Sequence, residues 1–102
     1  MSEGRSNENA LEVPPMAFEN TDSMEVLRVW VASGNPQQLT LRTTWPDPGA
    51  WGLLLVDVAR HVALAYEAEG HQPEQVIKRI RELWDAEWSS PTDDPQNITP
   101  NS

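Results

Sequence analysis

Two consecutive stretches of alternating character limit how much sheet this chain can build. In MEVLRVWVA, Met24 to Ala32, Leu27, Val29 and Val31 fall on one face and Val26, Arg28 and Trp30 on the other. β-branched residues are frequent there, as they are in strands. SGNP, Ser33 to Pro36, is a turn signal. QQLTLRTTW then alternates again, with Leu39, Leu41, Thr43 and Trp45 opposite Gln38, Thr40, Arg42 and Thr44. The pattern predicts one β-hairpin with a strongly apolar face. A hairpin alone is marginal in water, and both its strands are edges.

Beyond Trp45 the period becomes helical. WPDPGAW breaks the second strand, and Asp47 is placed to cap the free amides of a first turn, with Pro48 at the first helical position. The helix is expected to run to about Glu69, with Gly70 as its stop. Trp51, Leu54, Leu55, Val58, Val62, Ala65 and Tyr66 form its apolar stripe. Leu53 and Val56 widen that stripe, so the first half is expected to be buried on more than one side. A second helix is expected from Pro73 to near Trp88, with Val76, Ile77, Ile80, Leu83, Trp84 and Trp88 on one face. Its other face offers Glu74–Lys78, Lys78–Glu82 and Arg81–Asp85 at i, i+4, a solvated surface.

The flanks have a different composition. Residues 1–22 are expected to form a flexible acidic arm, from which Leu11, Val13, Met16 and Phe18 can still lie extended against the domain. Residues 90–102 are rich in Pro, Ser and Asp and are expected to be a disordered tail, leaving 23–89 as the domain. The Asn97-Ile98-Thr99 triplet is a glycosylation sequon without meaning outside a secreted protein. No secretory leader and no apolar run of bilayer length is visible, so a soluble cytoplasmic protein is expected.

The net charge of −9 is concentrated at the ends: −4 over residues 1–23, −3 over 24–88 and −2 over 89–102. With one lysine in the chain, a nucleic-acid partner is not expected, because such affinity comes from clustered Lys and Arg. Cysteine is absent, which excludes disulfides, thiolate metal sites and cysteine nucleophiles.

Two groups of residues could carry chemistry. Asp57, Arg60 and His61 sit at i, i+3 and i+4 in the apolar helix, where side chains are neighbours. Asp57 and His61 supply two ligands where zinc needs three, and His71 lies ten residues on. No G-x-S-x-G, H-E-x-x-H or glycine-rich phosphate loop accompanies them. The trio is therefore read first as a polar structural cluster, within one subunit or between two. A small-ligand or catalytic pocket is the alternative, and no metal or cofactor is expected.

The second group is Arg28, Trp30 and Arg42 on the outer hairpin face, which suits an anion or carboxylate or a protein contact. The competing reading is that both arginines pair with acids from a helix or a second subunit. Gly49 and Gly52 near a helix N-terminus are a weaker anion signal.

The strings EVLRVWVA, LTLRTTWPDPGAWGLLLVDVARHVALAYE and RIRELWDAEWSSPTDDP resemble a family of small uncharacterised alphaproteobacterial proteins, domain of unknown function 5076. The resemblance spans about Val26 to Pro95 and is densest in DPxxWGxLLxDxxRHxAxAY. It implies a bacterial, non-secreted protein and no activity, cofactor or substrate.

The expected fold is α+β, a β-hairpin followed by two α-helices (ββαα). An ordered stretch of about 65 residues buries only about 60% of its unfolded surface. A homodimer answers this, either by hairpins pairing edge to edge or by helices packing across a two-fold axis. Five tryptophans suit such an interface, and they also suit a small monomeric core. The expected function is a non-enzymatic interaction or regulatory role, with a ligand or enzymatic pocket around Asp57, Arg60 and His61 as the alternative.

Overall fold

The computed structural model describes residues 7–91; the sequon at Asn97 and the tail beyond residue 91 lie outside the described residues. Contacts group the chain into two units, Met1–Arg42 and Thr43–Ser102. The element order is α1 (Met16–Glu19), β1 (Leu27–Ala32), β2 (Asn35–Leu41), α2 (Gly49–Glu67) and α3 (Pro73–Ser89). This is the α+β hairpin followed by two helices that the patterning predicts, preceded by one short helical turn.

In the first unit that turn, α1, was not expected. Pro15 at φ −55° is already set for a helix, and the Phe18 and Glu19 amides bond to its carbonyl. The Ser23 hydroxyl closes the turn by donating to the carbonyls of Met16 and Asn20, at 3.2 and 2.8 Å. Residues 16–19 are therefore helical, not extended.

β1 and β2 pair antiparallel, with Leu27 opposite Leu41 and Val29 opposite Leu39 on the apolar face. Arg28 opposite Thr40 and Trp30 opposite Gln38 occupy the other face. Both strands are shorter than the alternation suggested, and β2 begins inside the expected turn. Only Ser33 and Gly34 form the loop, with Gly34 at φ +77° where a side chain would be strained. Between the Trp30–Gln38 and Ala32–Asn35 pairs, Pro36 and Gln37 oppose Val31 alone. The extra residue makes a bulge in β2 at Pro36, which has no amide proton for the ladder.

In the second unit the segment before α2 is anchored by its tryptophans. The Thr43 carbonyl accepts the Trp45 amide at 2.6 Å and the Trp51 indole N–H at 3.0 Å. The two indoles meet edge to face with centroids 5.7 Å apart. Closing that three-residue turn puts Thr44 at φ +64°, a conformation that a β-branched residue adopts only under strain. This explains why β2 stops at Leu41 and does not continue to Trp45. The Asp47 carboxylate accepts the Gly49 amide at 2.8 Å and caps α2.

α2 ends at Glu67, two residues before the expected stop. Gly70 at φ +101° then reverses the chain, and the His71 amide bonds the Tyr66 carbonyl at 3.1 Å. α2 and α3 are in contact. Ala63 is the one buried hydrophobic residue among the described residues, at 3% exposure.

The inner face of α2 runs Trp51, Leu54, Ala59, Val62, Ala63, while Leu55, Val58, Ala65 and Tyr66 of the expected stripe are exposed. The small Ala63 lies beside Pro73 and Ile77 of α3, and the approach distance of two helices is set by the side chains at their contact. The first half of α2 is not buried on several sides, since Leu53 is 76% exposed. On α3, Val76, Ile77 and Ile80 are half-buried, whereas Leu83, Trp84 and Trp88 are exposed. Instead of the three i, i+4 pairs expected on its polar face, an ion pair forms at i, i+3 between Arg79 and Glu82, 3.3 Å apart.

Relieving the Thr44 strain, of order 1–3 kcal/mol, outweighs the roughly 0.5–1 kcal/mol that glycine loses in entropy. Thr44→Gly is thus expected to raise the urea midpoint at unchanged slope, and a lowered midpoint contradicts the strained-turn account.

Candidate functional site

The outer hairpin face is organised by a residue the sequence reading did not single out. Glu25, just before β1, receives Arg28 through both carboxylate oxygens: Nε at 3.2 Å and Nη2 at 2.8 Å. Its backbone carbonyl accepts Arg42 Nε at 3.0 Å. Arg28 lies opposite Thr40 and the Arg42 amide bonds the Val26 carbonyl, so the two arginines are diagonal neighbours on one face. Glu25 answers both, one by charge and one by its carbonyl dipole. The acid is local, not from a helix, and its position three residues before Arg28 is the only signal the sequence offered. Both partners of the ion pair stay about half exposed, so it contributes about 0–1 kcal/mol. Trp30 shares this face and is also exposed.

The α2 trio is arranged differently from its spacing. Asp57, Arg60 and His61 are all exposed. His61 Nδ1 lies 2.8 Å from the Asp57 backbone carbonyl, as a donor in the tautomer that carries the proton there. The ring therefore turns to the helix backbone and not to the Asp57 carboxylate. Among the described residues no group of three or more His, Cys, Asp or Glu is placed to hold a metal ion.

Two open depressions flank the contact between α2 and α3. One, of about 530 Å³, is lined by Arg60, Ala63, Leu64, Pro73, Glu74 and Ile77. The other, of about 370 Å³, has Val62, Val76 and Ile80 as its apolar floor and Tyr66, His71 and Arg79 at its rim. The Tyr66 and His71 rings meet edge to face at 5.1 Å, which holds the imidazole at that rim. Arg60 reaches a depression; Asp57 and His61 line neither. Tyr66, His71 and Arg79 were not singled out together, because they converge only after the Gly70 reversal.

Residues 10–92 match the family described as Domain of unknown function (DUF5076). The chain belongs to this family. It is also similar to a solved protein from the photosynthetic bacterium Rhodopseudomonas palustrus, provisionally described as a pyruvate dehydrogenase. The two are 37% identical over 87% of this chain and 92% of that one, with a TM-score of 0.70. No curated protein matches the chain. Family membership therefore assigns a fold and no reaction.

The orientation of His61 has a measurable consequence. Contacting side chains couple by 0.5–3 kcal/mol, while independent ones add within about 0.3–0.5 kcal/mol. In a double-mutant cycle of Asp57→Ala and His61→Ala with urea unfolding as the readout, the two effects are expected to add. A coupling above about 1 kcal/mol would show that the two side chains act as one cluster.

Proposed function

We propose that this family member is a non-enzymatic interaction or regulatory module that works as a homodimer in the bacterial cytoplasm. One observation carries the reading: each unit buries little, and β1, α2 and α3 all expose large apolar side chains. Val31 on β1 is 75% exposed, Leu53 on α2 76%, Leu83 on α3 50% and Trp88 on α3 73%. Isolated exposed apolar residues are ordinary, but runs of them along a strand edge and two helices mark surfaces that associate. Tryptophan is enriched in the cores of such interfaces.

The alternative drawn from the Rhodopseudomonas protein's description is oxidation of a 2-oxo acid. That chemistry rests on a cofactor and on protein groups aimed at its reactive atom. At the rim of the smaller depression Arg79 pairs with Glu82 and the His71 ring packs against Tyr66, so neither is aimed into the space. Among the described residues no helix is long and apolar enough to cross a membrane. With one lysine and a net charge of −9, nucleic acid is a poor partner for the module.

Size-exclusion chromatography with light scattering is expected to give a mass of twice 11.5 kDa at micromolar concentration. A mass of 11.5 kDa at every concentration overturns the homodimer.

A further inference from the structure

The hairpin has two free edges, and they are not equivalent. The sheet contains β1 and β2 alone among the described residues. β2 carries Pro36 and the bulge, both of which discourage a further strand. β1, with the sequence LRVWVA, has neither. Its backbone parity is set by the Arg42 amide bonded to the Val26 carbonyl at 3.0 Å. Antiparallel pairs alternate between exchanging hydrogen bonds and not, so Arg28–Thr40 and Trp30–Gln38 are the bonded pairs. The amide and carbonyl groups of Leu27, Val29 and Val31 therefore point away from β2, toward the free edge.

That edge is open. Residues 27–31 form one wall of a cleft of about 570 Å³, and residues 9–14 form the other. Five consecutive strand residues line it, although their side chains alternate between faces, so the cleft runs along the strand edge itself. Among the described residues no backbone hydrogen bond joins the arm to β1 across it.

Resting on the homodimer reading, we infer that β1 is the dimer interface and pairs antiparallel with β1 of a second copy, about a two-fold axis through Val29. The sheet becomes β2-β1-β1-β2. The charge pattern of the strand selects this register. With Val29 opposite itself, Leu27 lies opposite Val31, and the apolar residues of both copies share one face. On the other face Arg28 lies opposite Trp30 of the second copy, twice, and a guanidinium on an indole is favourable. Moving the axis to residue 28 sets Arg28 against Arg28, like charges directly opposed. Moving it to residue 30 leaves Leu27 without an apolar partner opposite it. Glu25 already holds the Arg28 fork in place. The arm at residues 9–14 then lies on a face of the joined sheet, because β1 of the second copy takes the place beyond the edge.

The chain has no cysteine, so a single introduced thiol reports the axis. In a bonded antiparallel pair the α-carbons are about 5.5 Å apart, within the range of a disulfide. Val29→Cys is expected to cross-link nearly completely under mild oxidation. Val31→Cys, displaced from its counterpart by four positions or about 13 Å, is expected to stay uncross-linked. In the unaltered chain, an isotope-filtered NOE is expected between the α-protons of Arg28 and Trp30 of the second copy. A dimer by light scattering that lacks the NOE and the Val29 cross-link overturns the edge assignment and leaves the homodimer standing. Equal cross-linking at both positions overturns the register. A monomer at every concentration overturns both readings.

Discussion

One backbone hydrogen bond, from the Arg42 amide to the Val26 carbonyl, sets the parity of the whole hairpin. It decides that the even-numbered residues of β1 spend their backbone groups on β2 and that Leu27, Val29 and Val31 turn theirs outward. The same parity puts the apolar side chains of β1 opposite Leu39 and Leu41, and puts Arg28 and Trp30 together on the other face. Glu25 then holds both arginines of that face, one through its carboxylate and one through its carbonyl. Sheet edge, apolar face and polar face are consequences of one register.

The helical unit shows the same economy of burial. Its tight contact is at Ala63, where a small side chain admits α3, and it loosens toward Leu83, Trp84 and Trp88. At the opposite end of α2 the Thr43 carbonyl gathers the Trp45 amide and the Trp51 indole at the cost of a left-handed Thr44. Two-stranded hairpins and single helix pairs bury too little to be robust alone. The proposed homodimer would remedy this by covering exposed tryptophans and leucines.

How much of this was legible in the sequence depended on the period of the signal. The alternation from Leu27 to Val31 and the helical spacing from Val76 to Ile80 are strong periodic patterns, and the structure follows them. Boundaries were less legible. Pro36 reads as turn punctuation, yet it sits within β2 at a bulge, and Trp45 continues the strand pattern but is pulled away by Trp51. The stripe counted on α2 favoured large residues, so Ala63, the one buried hydrophobic residue among the described residues, went unseen. For the trio, i, i+4 spacing brings His61 to residue 57 but does not say whether it meets the side chain or the backbone; it meets the carbonyl. Glu25 could not be recognised as the anchor of two arginines until the register was known.

Amide hydrogen exchange reads the outward-facing backbone groups of β1 one by one. At high protein concentration the amides of Leu27, Val29 and Val31 are expected to be protected along with those of Arg28 and Trp30. On dilution below the dissociation constant the odd-numbered three are expected to lose protection first, leaving an alternating pattern along the strand. If Leu27, Val29 and Val31 exchange freely at every concentration at which the chain is dimeric, the second copy does not sit on this edge.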